Sequence, residues 1–326
     1  MQKIKTKLIY PVFISHQGCP NQCIFCNQFS ITKVDKIDWS NTLEGVRKFI
    51  YKYHDQNKEI AFFGGSFTNL SLERMQKLFD IFHDLLDEYT FFRISCRPDA
   101  INDKILNFLK NNRVNTIELG IQSFSDNELV ACKRGYTKEI AYQACLLVKK
   151  HNFMLGLQFL IGLPDFCDTT FNETVQTTLS INPDYIRLYP LLVLRNTELE
   201  ILYSNNQFNP LQLEIAIEYC IDFCQKISNS NIEIIKIGIH SDINIDKTEI
   251  VDGPFHANFG EIVKGRLLAN QIIDYLEKEQ KDTIYISDST ASQLHSFNKY
   301  PLKYIEKNIQ KKIKIIIDKN LRLKYH

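Results

Sequence analysis

Seven apolar, strand-like runs recur along the first 240 residues, and segments with helical spacing separate them. The runs cover residues 8–14, 59–63, 91–95, 116–121, 154–161, 185–193 and 233–239. Helical spacing is clearest at residues 72–89, 138–150 and 168–181. Near-continuous apolar strands that alternate with helices are typical of a parallel sheet covered by helices. The pattern predicts an α/β fold, a partial (β/α)6-type barrel, because a closed barrel needs eight repeats in about 250 residues.

Polar residues lie within or just after most of the predicted strands. In parallel α/β folds the chemistry lies at the carboxyl ends of the strands. The residues assigned to these ends are Gly64, Gly65, Ser66, Ser95, Arg97, Gln122, Gln158, Arg187 and the segment 19–26. We therefore expect these side chains to converge on one rim of the barrel.

The alternation of strands and helices changes after about residue 245. A helix-like stretch at 259–277 is followed by a strand at 283–287, two short helical segments and a strand at 312–318. The sequence predicts a barrel domain at 1–245 and a small α+β subdomain at 246–326.

Composition narrows the class of protein. Lys and Arg total 39 and Asp and Glu total 38, so no overall charge draws the chain to nucleic acid or membrane. No run reaches the roughly 18 apolar residues of a membrane span, and no cleavable leader is evident. The nine cysteines are an odd number and a poor match to a secreted disulfide framework. These features predict a cytoplasmic protein without membrane contact.

Three cysteines, Cys19, Cys23 and Cys26, are bunched in a polar loop directly after the first predicted strand. Structural zinc normally takes four ligands in two separated pairs, and no second pair is evident. Iron–sulfur clusters usually take four thiolates, so three would leave one iron open to a substrate or cofactor. Zinc and a chance group of core cysteines are the alternatives.

The Cys-x3-Cys-x2-Cys spacing resembles the signature of the radical SAM superfamily, and the aromatic Phe25 before the third cysteine fits that signature. Further segments resemble the family in family order: residues 62–68, 94–99, 118–123, 133–137, 157–164 and 186–190. The segment 253–261 resembles the bacterial relatives of the catalytic subunit of Elongator, the complex that modifies the wobble uridine of tRNA. That subunit has a wider first cysteine gap and carries an acetyltransferase domain. We expect no such domain here, because the sequence stops before one could fit.

The resemblance implies a radical SAM barrel with a [4Fe-4S] cluster on Cys19, Cys23 and Cys26. The open iron would chelate S-adenosylmethionine (SAM), whose reductive cleavage yields a 5′-deoxyadenosyl radical. A flavodoxin- or ferredoxin-type protein is the implied electron donor. The implied SAM contacts are Phe25, Gly64, Gly65, Ser66, Ser95, Arg97, Gln122, Arg134, Gln158 and Arg187.

Each contact also has a structural interpretation. Gly64 and Gly65 suit either close approach of a ligand or a plain strand-to-helix turn. Ser66 contacts the ligand or caps the following helix. Arg97 and Arg134 bind the methionyl carboxylate through a bidentate fork or form ion pairs, and the resemblance favours Arg134.

Four residues near this rim have competing interpretations. Glu118 is a candidate partner for an arginine inside the rim. His16 either supports the cluster through a hydrogen bond or is an ordinary loop residue. For Cys96 and Tyr189 we favour packing over redox roles.

The C-terminal end is basic. Residues 299–326 hold nine Lys or Arg and two acidic residues. Such a run neutralises phosphates or forms the solvated face of a helix. The predicted order helix, loop, helix, strand resembles half of a KH module, although the loop at 296–299 has no glycine.

We therefore predict a radical SAM enzyme that modifies RNA, specifically tRNA. The alternatives are a radical SAM enzyme acting on a small molecule or a protein, and a non-catalytic iron–sulfur protein that binds RNA.

Overall fold

The structure, a computed structural model, describes residues 8–20, 22–32, 36–239 and 247–318. Seven strands form one parallel sheet in the order β1-β2-β3-β4-β5-β6-β8. They are β1 (Leu8–Phe13), β2 (Lys58–Phe63), β3 (Thr90–Cys96), β4 (Val114–Gln122), β5 (Met154–Ile161), β6 (Tyr185–Pro190) and β8 (Glu233–Ile237). Because every neighbouring pair is parallel, all carboxyl ends lie at the same edge of the sheet. The predicted partial barrel is confirmed, with seven strands.

Helices connect the strands and cover the sheet. They are α1 (Gln28–Thr32), α2 (Trp39–Lys52), α3 (Leu72–Asp80), α4 (Asp103–Asn111), α5 (Asp126–Ala131), α6 (Lys138–Lys150), α7 (Asp168–Ile181), α8 (Glu198–Ser204), α9 (Leu213–Ile227), α10 (Phe259–Glu279) and α11 (Asp288–Ile309). Several begin at side chains that accept a hydrogen bond from the first turn, as Ser71 does for α3 and Asn102 for α4. A parallel pair, β10 (Thr283–Ile286) and β11 (Lys314–Ile317), flanks α11.

Two apolar cores share helix α10. Phe259 and Val263, at its start, pack into the main core beneath the sheet. Leu268 and Ile272 belong to a second core with residues of β10 and α11. The predicted domain boundary at 245/246 lies outside the described residues and stays a prediction.

The bounds predicted for one strand and one helix are wrong. The strand predicted at 185–193 is two strands: β6 ends at Pro190, and β7 (Val193–Leu194) pairs antiparallel with β9 (Ile250–Asp252). The helix predicted at 72–89 ends at Asp80. Further on, Asp87 accepts hydrogen bonds from Thr90 and from the Tyr89 amide, so this carboxylate organises a turn that replaces the last predicted turns of helix.

The predicted helix–loop–helix near the C-terminal end is also wrong, because α11 runs without a loop from Asp288 to Ile309. Lys299 has a φ of 60°, in the left-handed region, two residues before Pro301. Leu294 and Ile305, on either side of this irregularity, are buried in the same core, which keeps both halves in one helix. The helix order required by a KH half-module is therefore absent from the described residues.

Candidate functional site

The cysteine loop continues the hydrogen-bond ladder of β1 and β2 beyond the strands. The Ile14 amide donates to the Phe63 carbonyl at 2.8 Å, and the His16 amide donates to the Gly64 carbonyl at 2.8 Å. In return, the Ser66 amide donates to the Gln17 carbonyl at 2.9 Å. The base of the cysteine loop is thus fixed against the turn after β2.

Glycines allow these two turns to touch backbone to backbone. A Cβ on Gly18 would lie 2.2 Å from the Ser66 carbonyl oxygen, and one on Gly65 would lie 2.4 Å from the Gln17 carbonyl oxygen. Gly64 has a φ of 87°, which favours glycine. The close contact between the turns therefore explains why position 65 is a glycine, and the positive φ explains why position 64 is a glycine.

The three predicted cysteines differ in exposure and are all free thiols. Cys19 is exposed, Cys26 is half-buried and Cys23 is buried. Burial raises the pKa of Cys26 to about 12, although the Gln28 side chain donates to its Sγ at 3.4 Å. Among the described residues, no three His, Cys, Asp or Glu side chains are grouped to hold a single metal ion. A [4Fe-4S] cluster binds each thiolate through a different iron and does not need that convergence.

A second set of contacts fixes the loop from the side of α1. The His16 Nε2 accepts a hydrogen bond from the Gln28 amide at 2.9 Å, and burial lowers the pKa of His16. The Asn27 side chain donates to the Arg195 carbonyl at 2.9 Å. Ser30 donates to Glu249, in the turn before β9, at 2.7 Å. The antiparallel β7–β9 pair therefore holds the cysteine loop in place.

Two buried arginines lie beneath the cysteines. Arg134 Nη1 donates to the Cys23 Sγ at 2.9 Å, and its other nitrogens donate to the Tyr136 hydroxyl and the Gly120 carbonyl. Arg97 forms a bidentate pair with Asp99, at 2.9 and 2.8 Å, and also donates to the Arg134 carbonyl. Each guanidinium lies about 5 Å from the Tyr136 ring centre. Both arginines are thus positioned at the cysteines by neighbouring residues.

Three buried polar atoms at and below this rim have no hydrogen-bond partner in the described part of the chain: Arg97 Nη1, Gln122 Oε1 and Arg187 Nε. Buried polar groups are normally paired, so each unpaired one requires an explanation. Two of these atoms are donors and one is an acceptor. This set suits a ligand that carries both an anionic group and hydrogen-bond donors.

The other residues predicted to contact SAM lie in different parts of the site. The Ser66 hydroxyl accepts from the Arg97 amide at 3.1 Å and does not cap the following turn, so the cap interpretation is wrong. Ser95 is half-buried at the end of β3. Phe25 packs against an apolar cluster that contains Ile24 and Leu163.

Gln158 and Arg187 are not at strand ends, which corrects their assignment to the rim. They are register partners in the middle of β5 and β6, so their side chains lie on the same face. Arg187 donates to Glu118 at 3.0 Å, which confirms that Glu118 pairs with an arginine inside the barrel. The two residues line the interior below the cysteine loop.

A charged network lies deeper in the barrel. Arg93 donates to Glu59 and Glu118 at 2.8 and 2.7 Å, and Tyr185 donates to Glu118 at 2.8 Å. Burial alone would raise the pKa of Glu118, but Arg187 and then Arg93 outweigh it and hold that pKa below its usual value. The barrel interior is therefore polar from this network up to the cysteines.

The structure gives packing or pairing partners to the two candidate redox side chains. Cys96 is buried in the main core, and burial raises the pKa of its thiol to about 12. The Tyr189 hydroxyl accepts a 3.5 Å hydrogen bond from Arg187. The burial of Cys96 agrees with its packing interpretation, whereas the choice between packing and a redox role for the half-buried Tyr189 stays a prediction.

Several residues that support the site were not predicted. They are Gly18, Asn27, Gln28, Ser30, Glu59, Arg93, Tyr136, Tyr185 and Glu249. For Arg93 a signal was present, because it is a charged residue inside an otherwise apolar strand. For Ser30 and Glu249 the sequence holds no such signal, since 219 positions separate them.

Comparisons with known proteins identify the family. The model of the Radical SAM superfamily matches residues 13–178, and that of the Radical_SAM C-terminal domain matches residues 183–269. A tRNA uridine(34) acetyltransferase from Methanocaldococcus infernus is 30% identical over 173 residues, which is 52% of this chain and 32% of that protein. The chain thus spans about a third of the length of that curated relative.

Solved structures share the fold. The archaeal Methanocaldococcus infernus Elp3 with an N-terminal deletion has a TM-score of 0.62 at 22% identity, covering 84% of this chain and 63% of that chain. Coproporphyrinogen III oxidase (HemN) from Escherichia coli has a TM-score of 0.51 at 14% identity, covering 68% and 52%. At these identities the likeness concerns the fold alone.

The chain belongs to the radical SAM superfamily, whose members are enzymes that use a [4Fe-4S] cluster and SAM. No helix of the described residues is long and apolar enough to cross a membrane.

Proposed function

We propose that this radical SAM enzyme holds its [4Fe-4S] cluster on Cys19, Cys23 and Cys26, binds SAM at the adjoining rim, and modifies tRNA. The observation that carries the site is the three-thiol loop, fixed by backbone hydrogen bonds to the Gly64–Ser66 turn beside the buried Arg97 and Arg134. Its position after β1, at the carboxyl edge of a parallel sheet, is where such folds place their chemistry.

The residues present fit the two cofactors. Three free thiols within eight residues supply the protein ligands of the cluster and leave one iron for SAM. The unpaired Arg97 Nη1 suits the methionyl carboxylate, and the unpaired Gln122 Oε1 suits a donor such as the amino group or a ribose hydroxyl. The half-buried Ser95, Gln158 and Arg187 line the interior below and offer further polar contacts.

When bound, the cluster and SAM supply a 5′-deoxyadenosyl radical by one-electron cleavage of the S–C5′ bond. The chain's own residues bind the cluster and SAM, orient them and shield them. Arg134 places a hydrogen-bond donor and a positive charge 2.9 Å from the Cys23 sulfur and so holds that side chain in position for the cluster. The turn around Gly65 and the β7–β9 pair hold the cysteine loop against the barrel mouth from two sides.

tRNA is the substrate we favour. The support is the similarity, over half of this chain, to an enzyme named for its action on uridine 34 of tRNA. The acetyltransferase activity in that name is not part of the proposal, because only a third of that protein is matched. We place the enzyme in the cytoplasm, where tRNA is available, and propose a flavodoxin- or ferredoxin-type electron donor.

The first test is anaerobic. The protein is reconstituted with iron and sulfide, and the EPR spectrum of the reduced protein is recorded with and without SAM while 5′-deoxyadenosine is assayed. We expect SAM to perturb the cluster signal and to be cleaved. Cys23→Ala is expected to abolish both effects, and Cys145→Ala, at a thiol buried in the main core, to preserve them. A cluster that is indifferent to SAM would contradict the catalytic assignment.

The second test addresses the substrate. tRNA, coproporphyrinogen III and peptides are each added to the reconstituted enzyme, and we expect tRNA alone to stimulate 5′-deoxyadenosine formation. Mass spectrometry of the digested tRNA should then show a mass change on one nucleoside. Stimulation by another class of compound, with tRNA inert, would overturn the tRNA assignment and leave the radical chemistry intact.

A further inference from the structure

Helix α11 and the segment after it present an exposed set of lysines, which we call the lysine face. It consists of Lys299, Lys303, Lys307, Lys311, Lys312 and Lys314, all of them exposed. Between residues 299 and 317 there is one acidic residue, Glu306. The whole chain is nearly balanced in charge, so the face is a local concentration of positive charge and not a sign of a basic protein.

The lysines of α11 recur every four residues in the sequence. Lys303 and Lys307 follow the irregular turn at Lys299 and Pro301, and their spacing places them on one side of α11 about 6 Å apart along the helix axis. Lys311, Lys312 and Lys314 continue beyond the end of the helix into β11. The result is a row of charges along this stretch of the chain.

The lysines of α11 lack the partners that surface lysines have elsewhere in this chain. In α2, α3 and α9 an acidic residue stands four positions before a lysine and pairs with it: Glu44 with Lys48, Glu73 with Lys77 and Asp222 with Lys226. In α11 the residue four positions away from Lys303 on either side is another lysine. Within the described part of the chain, none of the six lysine side chains forms an ion pair or hydrogen bond.

Like charges four residues apart destabilise a helix, so the row works against the stability of α11. A solvated helix surface with no binding role would gain from a glutamate at one of these positions, as in α2 and α3. The opposite side of α11 is already packed, because Leu294 and Ile305 are buried in the second core. The helix therefore has no free apolar side to insert into a lipid surface, and its exposed residues between positions 299 and 309 are three lysines and Asn308.

We propose that the lysine face binds the phosphate backbone of the RNA substrate. This inference rests on the proposed function, since it names the contact that the substrate makes outside the reacting nucleotide. Helix α11 packs in the second core, whereas the cysteine loop packs on the main sheet. The face therefore contributes to affinity and orientation, and the chemistry at the cysteines does not depend on it.

The test uses the full-length enzyme with Lys299, Lys303 and Lys307 changed together to Glu. A matched control changes three exposed lysines on another part of the surface, Lys36, Lys104 and Lys150, to Glu. Binding of fluorescently labelled tRNA is measured by anisotropy over a series of salt concentrations. Each lost phosphate contact lowers the slope of log K against log salt by about 0.7 to 0.9.

We expect the Lys299/Lys303/Lys307 variant to lose about two units of slope and at least tenfold in affinity, with KM for tRNA raised and kcat unchanged. The control variant should bind like the wild type. A triple Lys→Gln variant, with thermal unfolding measured alongside, separates a loss of charge from a loss of folding. Binding and slope equal to wild type in both α11 variants would overturn the inference.

The failure of this inference and of the proposed function are distinguishable. If the wild type binds tRNA and is stimulated by it while the α11 variants behave identically, only the lysine face is wrong. If tRNA neither binds nor stimulates the wild type while SAM is still cleaved, the proposed substrate is wrong. Binding of the wild type, but not the variant, to anionic phospholipid vesicles in place of tRNA would also overturn the RNA assignment.

Discussion

The Ser30 hydroxyl donates a 2.7 Å hydrogen bond to the carboxylate of Glu249, joining the helix after the third cysteine to the turn before β9. Ser30 is buried and Glu249 is half-buried, so the bond is partly shielded from water. Together with the Asn27–Arg195 contact, it links the cysteine loop to the β7–β9 pair. Whatever loosens this pair should therefore loosen the cysteines.

Glu249→Ala is expected to shorten the lifetime of the reconstituted cluster. A hydrogen bond to a charged group contributes about 1.5–3 kcal/mol, and its loss leaves the Ser30 hydroxyl without this partner. The measurement is iron content and visible absorption during exposure to air, compared with wild type. Glu261→Gln, which alters an exposed carboxylate paired with Lys264, serves as the control. Equal cluster lifetimes in both variants would show that the β7–β9 pair does not support the loop.

Gly65→Ala should prevent assembly of the cysteine loop. The added Cβ would lie 2.4 Å from the Gln17 carbonyl oxygen, so one of the two turns must move. We expect the barrel to fold, because this contact lies above the sheet, and the bound iron to fall severalfold.

The matched control for Gly65→Ala is Gln17→Ala, which removes the side chain at the same turn and leaves the carbonyl in place. Circular dichroism and iron content are measured on both variants. Normal iron binding by Gly65→Ala would mean that the turns adjust and that the close contact is not required.

Much of the fold was predictable from the sequence because buried parallel strands leave a simple pattern. The predicted bounds of β5, α6 and α7 match the structure exactly. The cysteine loop, the glycine turn and the arginines were predictable for a similar reason: unusual residues follow strands. Helix α3 was predicted too long, because the apolar spacing continues past the residue where the helix ends.

Contacts between distant segments were not predictable. The Ser30–Glu249 bond and the use of Gly18 and Gly65 for backbone contact depend on the path of the chain in space. No periodicity in the sequence encodes them. Gln158 and Arg187 were assigned to the rim but lie in the middle of their strands, because a polar residue inside a strand does not reveal its depth in the barrel.

Glu118→Gln should strongly destabilise the barrel at neutral pH. The change leaves Arg93 and Arg187 with one carboxylate fewer, and removing one partner of a buried ion pair costs about 3–5 kcal/mol. Urea unfolding of the metal-free protein, followed by fluorescence of the single tryptophan, Trp39, measures the difference. Glu277→Gln on the exposed surface of α10 is the control, with an expected change within about 0.5 kcal/mol.

The same network predicts a pH dependence. The pKa of Glu118 is lower in the folded protein than in the unfolded chain, so its contribution is present above the unfolded value, about 4.3, and is lost as pH falls through the folded value. Burial raises the pKa of Glu59 despite the opposing effect of Arg93. The contribution of Glu59 to stability therefore changes with pH in the opposite direction to that of Glu118. The difference in unfolding free energy between wild type and Glu118→Gln should shrink below about pH 4. A difference that grows on acidification would contradict this assignment.

Arg266 should determine how firmly the second core, which contains residues of α10, β10 and α11, is attached to the barrel. Its guanidinium bonds Glu214 and Glu218 of α9 at 2.5 Å each and lies 4.8 Å from the centre of the Tyr304 ring of α11. Both carboxylates are well exposed, so solvent weakens the ion pairs, and we expect Arg266→Lys to cost only about 1 kcal/mol.

The cost of Arg266→Lys should appear locally. Amide hydrogen exchange is expected to accelerate in β10, α11 and β11 and to stay unchanged in β1–β6, because these elements pack in different cores. Lys264→Ala, which removes an exposed lysine two residues away on the same helix, should leave exchange unaltered. Cleavage of SAM alone should proceed at the wild-type rate, while tRNA affinity falls because the lysine face loses its fixed position. Uniform acceleration of exchange across the sheet would mean that the two cores unfold as one unit and that Arg266 is not a local attachment.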